Sequence, residues 1–377
     1  MICPEISAFL QSRIDAADFP SAVYLVAEKG EIRFQDALGN AVVEPEPLPA
    51  RIDTVFDLAS LTKVLVTGLV AAKLIESGEL SLDAELAGLL PDARASGGSA
   101  VTIRQLVTHT SGLPGWKPLY LLADHGSEIT QVILSTDGAG PGGSVVYSDL
   151  GFILLGKIIE RLTERTLDSL FSQEITQPLE LASWGVVFNP LRDILLTTIA
   201  ASENGNRHER LVCEELGFLN GMPSEQADRY FRDDVIWGEV HDGNAYFMGG
   251  VSGHAGLFGT AEDVLKIALH FLPGYTSLLR PETCELFTTN FTPGMNEHRS
   301  FAFQLASTPE STAGASMSPQ SFGHLGFTGT SLWIDPVKER VFILLTNRTH
   351  NHPLPFVNIN SVRRRFHDLA AAALDRN

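Results

Sequence analysis

The sequence predicts an α+β fold in which one sheet is assembled from both ends of the chain and a helical region is inserted between them. Two strand-like segments joined by a tight turn near the N-terminus, a second such pair near the C-terminus, and helix-period patterning in between carry that prediction.

Taken in order, the chain starts Met1-Ile2-Cys3-Pro4-Glu5 and continues as an amphipathic helix, without the basic start and apolar stretch of an export signal. Residues 22–27 and 32–34 read as strands, because Lys29-Gly30 between them supplies the positive φ that a tight hairpin needs. The middle predicts helices over 61–76, 103–108, 150–163 and 261–271, each with apolar residues at three-and-four spacing. Residues 332–334 and 341–345 form the second strand pair around the turn Asp335-Pro336-Val337-Lys338, and a last helix over 362–374 covers one face of the sheet. The glycine-rich stretches 138–143 and 249–259 read as loops bordering a site, and 204–232 is polar without a clear period. In domain terms, residues 1–75 and 300–377 make the sheet portion and 76–299 the mainly helical insertion, with the site between them.

Composition narrows the function. The 377 residues suffice for a sizeable core, and 44% apolar with 19% charged residues is ordinary globular usage. Acidic residues outnumber basic ones 45 to 27, and the formal charge of -18 repels phosphate backbones and anionic lipid, so no nucleic-acid partner is expected. The most apolar run, 64–72, is far shorter than the roughly 20 residues of a membrane helix. A soluble, cytoplasmic protein is expected. Cys3, Cys213 and Cys284 are scattered and odd in number, which favours free buried thiols over a disulfide framework or a zinc site.

Ser60-Leu61-Thr62-Lys63 opens the predicted helix 61–76. A serine in a first helical turn has unpaired N–H groups beside it that can stabilise an oxyanion, and a lysine three residues on shares its face. Burial of that lysine in an apolar cleft is expected to lower its pKa from about 10.4, making it a proton acceptor for the hydroxyl. Tyr147-Ser148-Asp149 follows a glycine-rich loop and precedes the helix 150–163, so the phenol can project from a loop tip. Its pKa is expected to fall beside the Lys63 ammonium, allowing it to relay protons. Gly323-His324-Leu325-Gly326-Phe327-Thr328-Gly329-Thr330 is spaced as an exposed edge strand that a substrate can approach closely. The N–H groups of Ser60 and Phe327 are the expected oxyanion donors, and His324 and Gly326 lie where substrate is gripped.

These three segments resemble the Ser-x-x-Lys, Tyr-x-Asn and Lys-Thr-Gly motifs of class C β-lactamases, D-Ala-D-Ala carboxypeptidases and related esterases. The similarity extends through Phe56-Asp57-Leu58-Ala59, Thr108 to Pro114, residues 249–260 and 323–336. It implies an antiparallel sheet flanked by helices with an inserted all-helical region. It also implies an acyl-enzyme mechanism with Ser60 as nucleophile, Lys63 and Tyr147 as proton carriers, and no cofactor or metal. Two positions depart from the pattern: Asp149 replaces an amide that contacts substrate, and His324 replaces the lysine of β-lactamases, which disfavours penicillin hydrolysis. An esterase or D-amino-acid peptidase, a class C-type β-lactamase and a non-catalytic binder of penicillins or cell-wall peptides all stay open, with an ester, a D-peptide or a β-lactam as ligand.

Among the other histidines, His241 beside Asp242 is a candidate substrate contact or a structural ion pair, His254 and His109 read as loop-bracing groups, and His350 and His352 lack a carboxylate at ligand spacing. A nucleophile elbow at Gly250-Val251-Ser252-Gly253-His254 fails for want of its second glycine.

Overall fold

A computed structural model describes residues 1–95, 100–136, 140–182 and 185–376. The beginning of the predicted loop 138–143 lies outside the described residues.

The N-terminal hairpin is Ser21–Glu28 and Glu31–Val42, with Lys29 and Gly30 at φ 53° and 77°. Both central residues are left-handed, the geometry whose twist matches the flanking strands. Ser21–Glu28 then pairs antiparallel with Arg340–Thr346, Leu25 opposite Ile343, which brings the two ends of the chain into one sheet. The seven strands run Leu48–Pro49, Glu31–Val42, Ser21–Glu28, Arg340–Thr346, Ser331–Asp335, Phe322–Leu325 and Gln304–Leu305. Every neighbouring pair is antiparallel.

Alternation along Ser21–Glu28 explains why helices cover both faces. Val23, Leu25 and Ala27 enter the main core, and Tyr24 and Val26 enter a second core with Phe366 and Ala370. Asn360–Asp375 and Pro4–Asp15 supply the helices of that second face. Ala261–Leu269 packs on Ser21–Glu28 and Arg340–Thr346 from the other side. The predicted helices 103–108 and 150–163 appear as Ile103–Val107 and Asp149–Thr163. The middle also holds a three-stranded sheet, Phe56–Asp57, Leu257–Gly259 and Val186–Phe188, whose first strand leads directly to Ser60. Cys3, Cys213 and Cys284 are buried free thiols. Among the described residues no helix is long and apolar enough to cross a membrane.

The helix expected over 61–76 is broken into three geometries: a 3₁₀ turn Ala59–Leu61, a π-helical stretch Lys63–Gly68 and an α-helix Leu69–Ser77. All six residues of the π stretch are buried. Thr67 Oγ1 donates to the Gly253 carbonyl at 2.7 Å, and a Cβ on Gly68 would come within 3.0 Å of the Ala302 methyl and the Lys63 carbonyl. Tertiary contacts at this depth override the local α preference, as is common for π segments near functional sites.

The strand Phe322–Leu325 is not the exposed edge that its glycines predict. Gln304–Leu305 pairs on its outer side, and Phe322, Gly323 and His324 are buried. Its glycines make room for protein instead of ligand: a Cβ on Gly323 would meet the Trp333 ring at 2.2 Å, and one on Gly326 would meet Thr330 Oγ1 at 1.9 Å and the Leu58 carbonyl at 2.7 Å.

Candidate active site

Ser60 stands where the small sheet meets the large one. The turn that presents it is tied to the stretch after Phe322–Leu325, because Thr328 Oγ1 donates to the Asp57 carbonyl at 2.8 Å and Thr330 Oγ1 to the Leu58 carbonyl at 3.1 Å. Asp57 holds the turn from beneath, its carboxylate accepting the Ala59 N–H at 2.8 Å and the His241 N–H at 2.7 Å. The N–H groups of Ser60 and Phe327 donate to no protein acceptor among the described residues. They are therefore available to an oxyanion, the requirement for a two-donor hole.

Lys63 is fully buried, and its ammonium donates to Ser60 Oγ at 3.0 Å, to Asp149 Oδ1 at 2.6 Å and to the His254 carbonyl at 3.0 Å. All three ammonium protons have acceptors, so the charged form is well accommodated. The expected fall in the Lys63 pKa does not occur. Burial pushes it down, but the Asp149 carboxylate and, after it, the Tyr147 oxygen outweigh burial and hold it above the ordinary lysine value. Asp149, expected to contact substrate, is thus the counter-ion of Lys63, although it also lines the cleft.

Tyr147 and Asp149 flank Ser148, which fixes both. Ser148 Oγ caps the helix Asp149–Thr163 by accepting the Gly151 N–H, and the Ser148 N–H donates to His109 Nδ1 at 3.0 Å. His109, at φ 58°, lies with its ring 4.6 Å from that of Tyr147 and 5.1 Å from that of Phe152. It braces the Tyr147 loop. The Tyr147 phenol also departs from expectation: burial raises its pKa, and the attraction of Lys63 and contact with Ser60 only partly offset this.

Two cavities meet at Ser60. One, about 330 Å³, is lined by Tyr147, Arg299, His324, Gly326, Arg348 and Arg363 among others. His324 Nδ1 bonds the Leu325 carbonyl at 2.9 Å, and its Nε2 has no partner among the described residues. Burial, aided by the nearby Lys63 and Arg299 charges, keeps this imidazole neutral well below the ordinary histidine range. His324 therefore does not become a carboxylate-gripping cation in mild acid. Positive charge comes from arginines that the sequence reading does not identify. Arg348 donates to the carbonyls of Phe327 and Val357, and Arg363 to those of Gly326 and Thr330. Neither pairs with a carboxylate among the described residues. Burial lowers their pKa values to about 10 and about 9, so both stay charged near neutrality.

The second cavity, about 280 Å³, is lined by Asp57, Trp116, Asp149, His208, Glu209, His241, Asp242 and Phe327 as well as Ser60. His241, a candidate substrate contact, is in this wall, and its carboxylate partner is not Asp242 but Glu203, at 2.9 Å from Nε2. Asp242 pairs instead with His254, 2.9 Å away. Asp149, Asp242 and His254 bring ligand atoms within 4.8 Å of one another. Their donors are already engaged by Lys63 and by each other. His350 accepts the Val43 N–H through Nε2 and has a structural part.

A profile of the Beta-lactamase family matches residues 6–363. This chain belongs to the Beta-lactamase family. Its members are serine hydrolases, and the seven-stranded antiparallel sheet with its flanking helices is their fold. A protein of Escherichia coli K12 named putative D-alanyl-D-alanine carboxypeptidase is 30% identical over 375 residues, covering 92% of this chain and 82% of its own. Among solved structures, an octameric penicillin-binding protein homologue from Pyrococcus abyssi superposes with a TM-score of 0.70 at 18% identity, over 98% of this chain and 77% of that one. The hydrolase EstCE1, described as having promiscuous acyltransferase activity, gives 0.70 at 20% identity over 97% of both chains.

Proposed function

We propose that this protein hydrolyses small amides or esters through an acyl-enzyme on Ser60, and that its preferred leaving group carries a carboxylate, as in a D-alanyl peptide. The contact that carries the reading is Lys63 Nζ to Ser60 Oγ at 3.0 Å, next to two N–H groups without acceptors among the described residues. In the reactive minority with a neutral Lys63, the amine takes the Ser60 proton as Oγ attacks the carbonyl, and the oxyanion is held by the N–H groups of Ser60 and Phe327. Collapse expels the leaving amine or alkoxide, which takes a proton from the Lys63–Tyr147 pair, and water then releases the acyl group by the same route. Uncancelled charge on Arg348 and Arg363 favours a carboxylate on the leaving side, and the names of the curated relatives point the same way. Neutral esters are the second reading, favoured by the neutral His324 where β-lactamases carry a lysine.

The test is turnover of D-alanyl peptides, p-nitrophenyl esters and nitrocefin, with fluorophosphonate labelling, in wild type and Ser60→Ala. Loss of labelling and a fall in turnover on the order of a thousandfold are expected. Ser60→Ala with most of its activity intact would sink the proposal. Labelling without turnover would identify a binder that acylates and does not release.

A further inference from the structure

His241 touches both halves of the oxyanion hole, yet no step of the reaction passes through it. On one side its main-chain N–H donates to Asp57 at 2.7 Å, and the other oxygen of that carboxylate accepts the Ala59 N–H at 2.8 Å. Ala59 immediately precedes Ser60 and stands at φ 47°, a left-handed conformation that an alanine keeps only where its surroundings impose it. On the other side the His241 ring lies on that of Phe327, the residue carrying the second donor, with centroids 5.5 Å apart and planes 27° from parallel.

One carboxylate fixes that ring from behind. Glu203 is fully buried; its Oε2 is 2.9 Å from His241 Nε2, and its Oε1 accepts the His208 N–H at 2.8 Å, with the Arg207 guanidinium 3.8 Å away. An ionised carboxylate only accepts, so Nε2 carries the proton. Burial works against a charged His241, but the bond to Glu203 and its charge outweigh burial and raise the pKa above the ordinary histidine value. His208, anchored by the same carboxylate, lays its own ring 5.1 Å from Phe327. The Arg348 guanidinium, 4.8 Å over the Phe327 ring, and Phe356 at 6.0 Å complete the clamp. Phe327 is in a turn and 38% exposed at the junction of the two cavities. Side-chain rotamer and backbone torsions are coupled, so a clamp on this ring also restrains the peptide that carries the N–H.

We infer that His241 is a positioning residue: held by Glu203, its ring sets the Phe327 N–H at the distance from the Ser60 N–H that a developing oxyanion requires. On the acyl-enzyme reading of Ser60, on which this rests, His241 acts through Phe327 on the transition state and leaves substrate binding almost untouched. Acylation and deacylation each pass through an oxyanion in the hole, so loss of the ring slows both and KM changes little.

The experiment measures kcat and KM for a p-nitrophenyl ester, and the Kd of phenylboronic acid, in wild type, His241→Gln, Phe327→Ala and the double variant. Any substitution of His241 except proline keeps its N–H for Asp57, and glutamine can still donate to Glu203, so His241→Gln removes the ring and little else. Phenylboronic acid becomes a tetrahedral anion when Ser60 Oγ bonds to boron and the serine proton passes to Lys63, and an oxygen of that anion takes the two N–H groups. His241→Gln should lower kcat about tenfold or more with KM changed by less than about threefold, and should weaken the boronate by about the same factor as kcat/KM. Phe327→Ala has already lost the ring through which His241 acts, so adding His241→Gln there should change kcat by less than about twofold. An unchanged kcat in His241→Gln, an effect confined to KM, or equal losses with and without the Phe327 ring overturns the inference. Should His241→Gln fail to fold, Glu203→Gln with His241→Leu removes the ring without leaving a buried charge, and the same outcomes decide. If no ester is turned over and Ser60 resists fluorophosphonate, the hydrolase reading fails separately. The boronate then decides alone: equal Kd in wild type and variant, or no binding by the wild type, overturns the role of His241.

Discussion

The two walls of the cleft are built differently. The sheet wall takes His324 and Gly326 from the end of a strand, Arg348 from just past another and Arg363 from the last helix, so its groups stand on regular, buried elements. The facing wall takes Asp57 from the end of a two-residue strand and Trp116, His241 and Asp242 from turns and loops, joined by His208 and Glu209 at the start of the short helix Arg207–Glu215. On the loop wall most cations are cancelled by a neighbouring carboxylate, and on the sheet wall two arginines have no such neighbour. The charge each wall shows depends on how its ionisable side chains are paired. Net charge of the chain says nothing about it.

The largest effect that would break this contrast comes from removing the cation at the junction. Lys63→Ala should lower kcat by on the order of a hundredfold to ten-thousandfold, the usual range for a positioned acid–base group. Because Lys63 and Tyr147 share one proton network beside Ser60, adding Tyr147→Phe should cost much less than the two single losses summed. A double-mutant cycle with strictly additive free energies would place one of them outside the mechanism.

Asp149→Asn sharpens the loop wall. The carboxylate holds Lys63 above the ordinary lysine value, so the neutral amine becomes abundant only toward alkaline pH and activity should climb on that side. Without the negative charge the buried amine loses its proton more readily. The ascending limb of kcat/KM against pH should therefore move to lower pH in Asp149→Asn. An unmoved or higher limb would show that Lys63 does not govern it.

The smallest effect is expected from His324→Lys on the sheet wall. The new ammonium would join Arg299, Arg348 and Arg363 around one cavity, so selectivity for a carboxylate changes little. The ratio of kcat/KM for nitrocefin to that for a neutral p-nitrophenyl ester should rise by less than about tenfold. A larger rise would make His324 the selectivity element and demote the arginines.

What could be read from the sequence follows the range of the interactions involved. Lys29-Gly30 announces its hairpin, and Ser60 with Lys63 announces a shared helical face, because both depend on neighbours a few residues away. The pairing of Lys63 with Asp149 spans 86 positions, and that partner reverses the expected direction of the lysine pKa. Periodicity also misjudges Phe322–Leu325, since its glycines face Trp333 and Thr330, contacts made only in the folded sheet. Glu209 is in the polar stretch 204–232, where no period marks it, and Arg348 follows an apolar strand like any surface arginine. The significance of Arg348 is that no carboxylate among the described residues pairs with it, and absence of a partner has no local signature.

The π-helical stretch Lys63–Gly68 acts as a phase setter between chemistry and scaffold. Each helical residue turns the chain by about 100°. Ser60 and Lys63 lie before or at the start of this stretch, and the anchoring residues Leu69, Val70 and Leu74 lie after it. A single-residue deletion between them would leave the Ser60–Lys63 spacing untouched, yet rotate that turn against the core by most of a right angle or more. Lengthening or shortening the chain here is therefore a change of aim, and drift in length should be tolerated in exposed turns long before it is tolerated in these six buried residues.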